Sequence, residues 1–245
     1  MKTKLTALLI GACIGTTAIG AELLVGTDAG FAPFEFKDEK TNEIVGFDMD
    51  LIKAIAAVNG DTVKIQNMQF AGLIPAIQGN MIDVAAAGMT ITPARQKQVH
   101  FTDSYYEVGL VLAVMNKDAD KYKTLTDLEN KTICAQIGTT GSMLASKVKG
   151  AKVTNYDQIG EAFMDMKMGG CQAVLNDKTV TTYYLSKKGD GSMTVMPHLY
   201  EPSQNGFAVS KRNPELLKKL NHGLKVIKEN GTYDKIYNKW FAEKK

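Results

Sequence analysis

Short apolar runs at 23–26, 63–65 and 82–86 alternate with stretches at 48–58 and 71–78 in which apolar residues recur every three or four positions. Runs of that length between turn residues predict buried strands, and the longer period predicts helices with one apolar face. On the 48–58 segment that face is Phe47, Leu51 and Ile55. After a further apolar run at 108–115 the alternation restarts, with strands expected at 132–135, 152–156 and 172–175 and helices at 142–148, 161–168 and 179–186. Two such series predict two α/β units, each a parallel or mixed sheet with helices on both faces. The last third adds a strand at 206–210 and helices at 214–229 and 233–241, which are expected to return to the first unit. Gly169-Gly170 and Gly189-Asp190-Gly191 read as turns, and no internal repeat interrupts the pattern.

The first 21 residues fit neither series. Lys2 and Lys4 precede an apolar run over 5–14, and small residues close it at Ala18-Ile19-Gly20-Ala21. This is the pattern of a secretory signal peptide, cleaved after Gly20 or Ala21. A lipid-modified Cys13 is the weaker alternative, because Ile10-Gly11-Ala12-Cys13 only approximates a lipoprotein site. Elsewhere no stretch approaches the roughly 20 apolar residues of a membrane helix, so a soluble periplasmic chain is expected. The formal charge is +3, and loss of the two leader lysines leaves 27 basic against 26 acidic residues, or +1. So even a balance gives no reason to expect a nucleic-acid partner. Without Cys13 the cysteines are an even pair, Cys134 and Cys171, at the starts of two strands that could be neighbours; in an oxidising compartment a disulfide is expected. His100, His198 and His222 are scattered and no Cys/His cluster occurs, so neither a metal site nor a cofactor is expected.

Eight stretches in order then carry a resemblance over nearly all of the remaining chain. They are Gly26-Thr27-Asp28 with Phe31-Ala32-Pro33-Phe34-Glu35, Gly46-Phe47-Asp48-Met49-Asp50-Leu51, Phe70-Ala71-Gly72-Leu73-Ile74-Pro75-Ala76, Gly88-Met89-Thr90-Ile91-Thr92-Pro93-Ala94-Arg95, Phe101-Thr102-Asp103-Ser104-Tyr105-Tyr106, Gly138-Thr139-Thr140-Gly141, Asn176-Asp177 and Asn230-Gly231-Thr232-Tyr233. The sequence resembles the polar amino-acid-binding proteins of bacterial ABC transporters, the family 3 extracellular solute-binding proteins, and looks closest to their glutamine-binding members. That resemblance implies the type II periplasmic binding protein fold, two α/β lobes joined by a two-strand hinge. Lobe one would comprise 22–108 and 206–245, and lobe two 109–205. It also implies a monomer whose partners are a free polar amino acid and the membrane subunits of an ABC importer, with no enzymatic activity.

A free amino acid presents a carboxylate, an ammonium and a side chain, and candidates for each are visible. Arg95 follows a Thr-Ile-Thr-Pro turn, where its planar guanidinium can grip a carboxylate with two hydrogen bonds. Gly88 and Thr90 follow a strand and offer close backbone approach and a hydroxyl. Thr140 sits in a turn leading into a helix and is expected to donate from lobe two. Asp177 ends a strand, at the edge where open α/β sheets bind ligands, and family matching makes it the ammonium acceptor. Phe31 and Phe70 match the aromatic pair that encloses the ligand side chain in relatives, and Asp28 matches the position that reaches it. An ionised Asp accepts from an amide, an ammonium or a guanidinium and repels acidic side chains.

Glutamine is the expected ligand. Two departures keep arginine and lysine as the alternative: Asn176 stands where glutamine binders carry His, and Gln136, itself taken as a ligand-binding residue, stands with an extra residue near the Gly-Thr turn where some carry Lys. Rival classes are a soluble ligand sensor and a dehydratase built on a related scaffold. No nucleophile–base pair supports the latter.

Overall fold

The computed structural model describes residues 20–242. Of the leader expected at 1–21, residues 1–19 lie outside them, as does Cys13. The first sheet begins with β1 (Glu22–Thr27). Three short antiparallel strands follow, β2 (Gly30–Phe31), β3 (Glu35–Lys37) and β4 (Ile44–Val45), which form a small sheet of their own. Helix α1 (Phe47–Val58) leads to β5 (Thr62–Asn67), which runs parallel to β1 with Leu23 opposite Val63 and Val25 opposite Ile65. A 3₁₀ turn at Phe70–Gly72 runs into α2 (Leu73–Gln78), and β6 (Val84–Ala85) joins the other edge of β1. Short α3 (Pro93–Gln96) and β7 (His100–Phe101) complete this leg.

The chain then enters a second sheet with β8 (Tyr106–Met115), β9 (Thr132–Gln136), α4 (Thr140–Ala145), β10 (Lys152–Tyr156), α5 (Ile159–Met168), β11 (Ala173–Asp177), α6 (Lys178–Lys188), β12 (Met193–Val195) and β13 (Tyr200–Asn205). Its order is β10-β9-β11-β8-β12, with β13 also paired to β8. The return leg places β14 (Ala208–Val209) between β6 and β7, so the first sheet reads β5-β1-β6-β14-β7, and α7 (Pro214–Glu229) and α8 (Thr232–Phe241) follow. The result is the two-lobed α/β architecture expected from the alternating pattern. Two segments cross between the sheets, Thr102–Tyr106 outward and Asn205–Phe207 on return; Tyr105 N donates to Asn205 O (3.1 Å) and Phe207 N to Thr102 Oγ1 (3.0 Å).

Packing follows the predicted faces. Leu216, Leu220, Leu224 and Ile227, spaced at helical intervals, are buried on α7 where it packs on α1. Each such side chain contributes about 1.5–3 kcal/mol by leaving water. Gly223 permits the close approach, since a Cβ there would lie 2.6 Å from Ile55 O. At the first turn of α1 Asp48 is fully buried, and its Oδ2 accepts from Gly88 N (2.8 Å) and Tyr105 Oη (2.6 Å). Tyr105 stacks on Phe207 with ring centroids 4.5 Å apart, so one carboxylate ties α1 to both crossing segments. Burial raises Asp48 to about 7, against the two hydrogen bonds that lower it.

Where the structure departs from the periodicity, local chemistry explains it. Helix α4 begins at Thr140, not 142, because Thr139 caps it, its Oγ1 accepting from Ser142 N (3.2 Å). The run at 82–86 contributes only Val84–Ala85 to the ladder.

Cys134 of β9 and Cys171, just before β11, are joined by a disulfide with Cα atoms 6.0 Å apart and a sequence separation of 37. It ties together neighbouring parallel strands. Replacing both cysteines by alanine is expected to cost about 2–4 kcal/mol of stability, from the loop freed in the unfolded chain. Urea unfolding of the oxidised protein and the double variant measures this; an unchanged midpoint would count against it.

Candidate functional site

Strands β1, β6, β9 and β11 all end at the cleft between the sheets, the position where open α/β sheets place ligands. Thr27 Oγ1 donates to Ala86 O (2.6 Å), holding the ends of β1 and β6 together. All nine residues expected from the sequence line one cavity there: Asp28, Phe31, Phe70, Gly88, Thr90, Arg95, Gln136, Thr140 and Asp177. Glu35, Ala87, Leu110, Thr139, Gly141 and Asn176 complete its wall.

Arg95 is buried on α3, with its guanidinium carbon 5.1 Å from the centre of the Phe70 ring. Nη1 donates to Thr90 O (2.7 Å) and Nη2 to Gly138 O (3.0 Å), the second bond crossing between lobes. Those two anchors orient the fork and leave donors for an anion. Burial lowers Arg95 to about 10, so it stays charged at neutral pH. Thr139 is committed to capping and to Gln136 O (2.7 Å), whereas Thr140 lines the cavity without a cap role. Gly88 has φ +52°, a left-handed conformation suited to glycine. A Cβ there would stand 3.1 Å from the Phe31 ring and 3.7 Å from Glu35 Oε1, so the missing side chain keeps that corner open.

Carboxylates dominate the electrostatics. Asp177 occupies the N-cap position of α6 but makes no side-chain cap bond. Burial raises it to about 7, with Arg95 lowering it in part. Glu35 of β3 is fully buried, and neither carboxylate oxygen has a hydrogen-bond partner. Its pKa is raised well above the usual range, first by burial and then by Asp48, Asp28 and Asp177. Asp28 is also raised by burial, but protein donors surround it. Oδ2 accepts from Phe70 N (3.0 Å) and Gln136 Nε2 (2.8 Å), and Oδ1 from Gln158 Nε2 (2.5 Å).

Two of those donors belong to the second lobe, so Asp28 fastens the lobes directly. Gln69 Nε2 adds a bond to Asp157 Oδ2 (2.7 Å) beside it. Gln158 lies over Gly30, where a Cβ would meet its Oε1 at 1.6 Å. Across the cleft Phe36 contacts Tyr183, with ring centroids 6.2 Å apart, and Glu39 pairs with Lys188 (3.4 Å). The structure is therefore a closed form of the cleft.

Sequence reasoning placed Glu35 within a motif without giving it a role, and it missed Gln158 and Gln69 altogether. No local signal marked Glu35: neighbouring side chains on a strand face opposite ways, so an acid between Phe34 and Phe36 reads as solvent-facing. The two glutamines carry no local mark either.

Residues 23–243 match the family described as bacterial extracellular solute-binding proteins, family 3. The chain is 37% identical over 246 residues to the ABC transporter arginine-binding protein 1 of Escherichia coli (strain K12), covering 99% of each. Among solved structures it resembles an ancestral arginine-binding protein bound to arginine (TM-score 0.87, 43% identity, 91% of this chain and 100% of that one). An ancestral arginine-binding protein bound to glutamine is similar to the same degree (TM-score 0.86, 44% identity, 91% and 98%). Family match, shared fold and the cleft between two lobes agree: the chain belongs to the family 3 bacterial extracellular solute-binding proteins.

Proposed function

We propose that the protein captures a basic L-amino acid, arginine ahead of lysine, between its lobes outside the cytoplasm and presents it to an ABC importer. The observation that carries this reading is Glu35, a fully buried carboxylate with both oxygens unpaired in the cavity wall. Two free oxygens suit the planar fork of a guanidinium, which Lys lacks. Phe31 and Phe70 supply faces on which a guanidinium stacks. The same supporting chemistry assigns the α-carboxylate to Arg95, Thr90 and Thr140, and the α-ammonium to Asp177. The relative and both of the structures reported above are named for arginine, one of them bound to arginine and the other to glutamine.

Glutamine, expected from the sequence, is the second reading. Glu35 has a raised pKa, so in its protonated form it can donate to an amide carbonyl. A neutral side chain, however, leaves the cavity's excess of acids uncompensated.

Closure supplies the mechanism, with the two sheets as the bodies of the lobes and the crossing segments Thr102–Tyr106 and Asn205–Phe207 as the hinge; the second sheet takes in β8 from Tyr106, ahead of the 109 expected for the start of lobe two. Periplasmic binding proteins are a general instance of hinge closure around a ligand. An amino acid held by Arg95 on one lobe and Asp177 on the other binds the closed state better, and that difference shifts the population.

Three outcomes are expected. Glu35→Gln should weaken arginine about ten- to a hundred-fold, roughly 1.5–3 kcal/mol, and change glutamine little. Isothermal titration tests this, and equal losses for both ligands would overturn the guanidinium assignment. Arg95→Lys should weaken every amino-acid ligand by a similar factor, because all share the carboxylate; normal binding would remove Arg95 from the site. The third outcome concerns pH. Burial in the closed cleft holds Glu35 and Asp177 above their ordinary values; with opening taken to return them to water, closure takes up protons, is favoured in full below the ordinary carboxylate range, and loses that advantage as the pH rises through the closed-form value of Asp177, about 7. X-ray scattering of the ligand-free protein should show a more compact particle at pH 5 than at pH 8. A larger particle at pH 5 would contradict this.

A further inference from the structure

We propose that export creates a structural ion pair in this protein: cleavage after Gly20 frees the α-ammonium of Ala21, which docks on the buried carboxylate of Asp61. The proposal rests on the signal peptide inferred from the sequence and gives the new terminus a place in the fold. Ala18 and Gly20 stand three residues and one residue before the Gly20–Ala21 bond, the small pair that such cleavage sites require. Cutting one residue later would put Ile19 in the first of those positions.

The structure favours the same bond. Ala21 N lies 2.9 Å from Asp61 Oδ1. Asp61 follows α1, just before β5, and its side chain is only 3% exposed; Lys219 Nζ of α7 approaches Oδ2 at 3.2 Å. Ala21 O accepts from Thr62 N (2.9 Å), so an extension of the β1–β5 ladder fixes the position of its nitrogen beside the carboxylate. In the uncleaved chain that nitrogen is a neutral amide with one hydrogen. Hydrolysis by a signal-type peptidase adds the oxygen of water to the Gly20 carbonyl carbon, which leaves as a carboxylate, breaks the C–N bond and leaves both protons of the water on Ala21 N. The nitrogen becomes a cation with three donors at a carboxylate already held in place, so a bond with charge on its acceptor alone becomes an ion pair with charge on both partners. Removal one residue further in would discard both the Asp61 contact and the bond from Thr62. The fold thus reaches full stability only after the leader is gone, on the far side of the membrane.

The test begins with the intact mass of the exported protein, expected to start at Ala21. Four chains are then melted: those beginning at Ala21 or at Gly20, each with and without Asp61→Asn. Glycine is the right extension because a Cβ at position 20 would lie 1.6 Å from Gly60 O. Moving the start to Gly20 should lower the melting temperature by roughly 2–4 °C in the Asp61 chain and by much less in the Asp61→Asn chain. Should Asp61→Asn fail to fold, acetylation of the Ala21 terminus is expected to lower the melting temperature likewise. A start at Glu22 or beyond, equal shifts in both backgrounds, or no effect of acetylation overturns the proposal while leaving export intact. Retention of residues 1–20 overturns export and the proposal with it. Amino-acid binding by the four chains should be equal, which keeps this test independent of the ligand assignment.

Discussion

Burial of negative charge with too few partners governs this molecule. Asp28, Glu35, Asp48 and Asp177 are all removed from water in or beneath the cleft, and Arg95 is the one cation lining the same cavity. An unpaired buried charge is costly, and a protein meets that cost with hydrogen bonds, with protons or with a counter-ion. Here each carboxyl meets it differently. Asp28 takes three protein donors, Asp48 takes Gly88 and Tyr105 on one oxygen, Asp177 faces Arg95, and Glu35 has nothing. The closed cleft is thus an incomplete electrostatic structure.

The frame around that deficit is stiff. α1 and α7 approach closely at Gly223, Asp48 locks α1 to the Gly88 corner, and the disulfide joins the two strands that end in Gln136 and Asp177. Ligand groups on such a frame keep their relative positions within each lobe. The short segments that cross between the sheets, around Tyr105 and Asn205–Phe207, are registered against each other by Tyr105–Phe207 stacking. Close packing makes such an arrangement switch between states more readily than deform.

Much of this was legible in the chain. The alternation of short apolar runs with helical stretches showed two α/β units because both periods persist over several residues. The cavity residues were legible chiefly through the family resemblance, which gave Asp28, Phe31, Phe70 and Asp177 their roles and lifted Arg95 above an ordinary helix-face arginine. The small sheet of β2–β4, by contrast, has strands of two or three residues, too short to display a period. Gln158 and Gln69 were hidden for another reason. A glutamine on a loop is ordinarily a solvated side chain, and only the juxtaposition of residues 130 positions apart turns Gln158 into a partner for Asp28. Glu35 was hidden as well: alternation with Phe34 and Phe36 reads as an outward-facing acid, and its burial and orphaned oxygens are properties of the folded cavity.

The bond between Asp28 and the two glutamines separates two tasks that one residue could have combined. Contacts that hold the lobes shut are made by protein on protein, while the carboxylate without a partner sits on a separate strand, β3. Under the proposed function, selectivity and mechanics are then encoded by different positions. A lineage can exchange the residue at 35, or the aromatic faces beside it, and inherit the same closing motion, so that a new cargo requires no new machine.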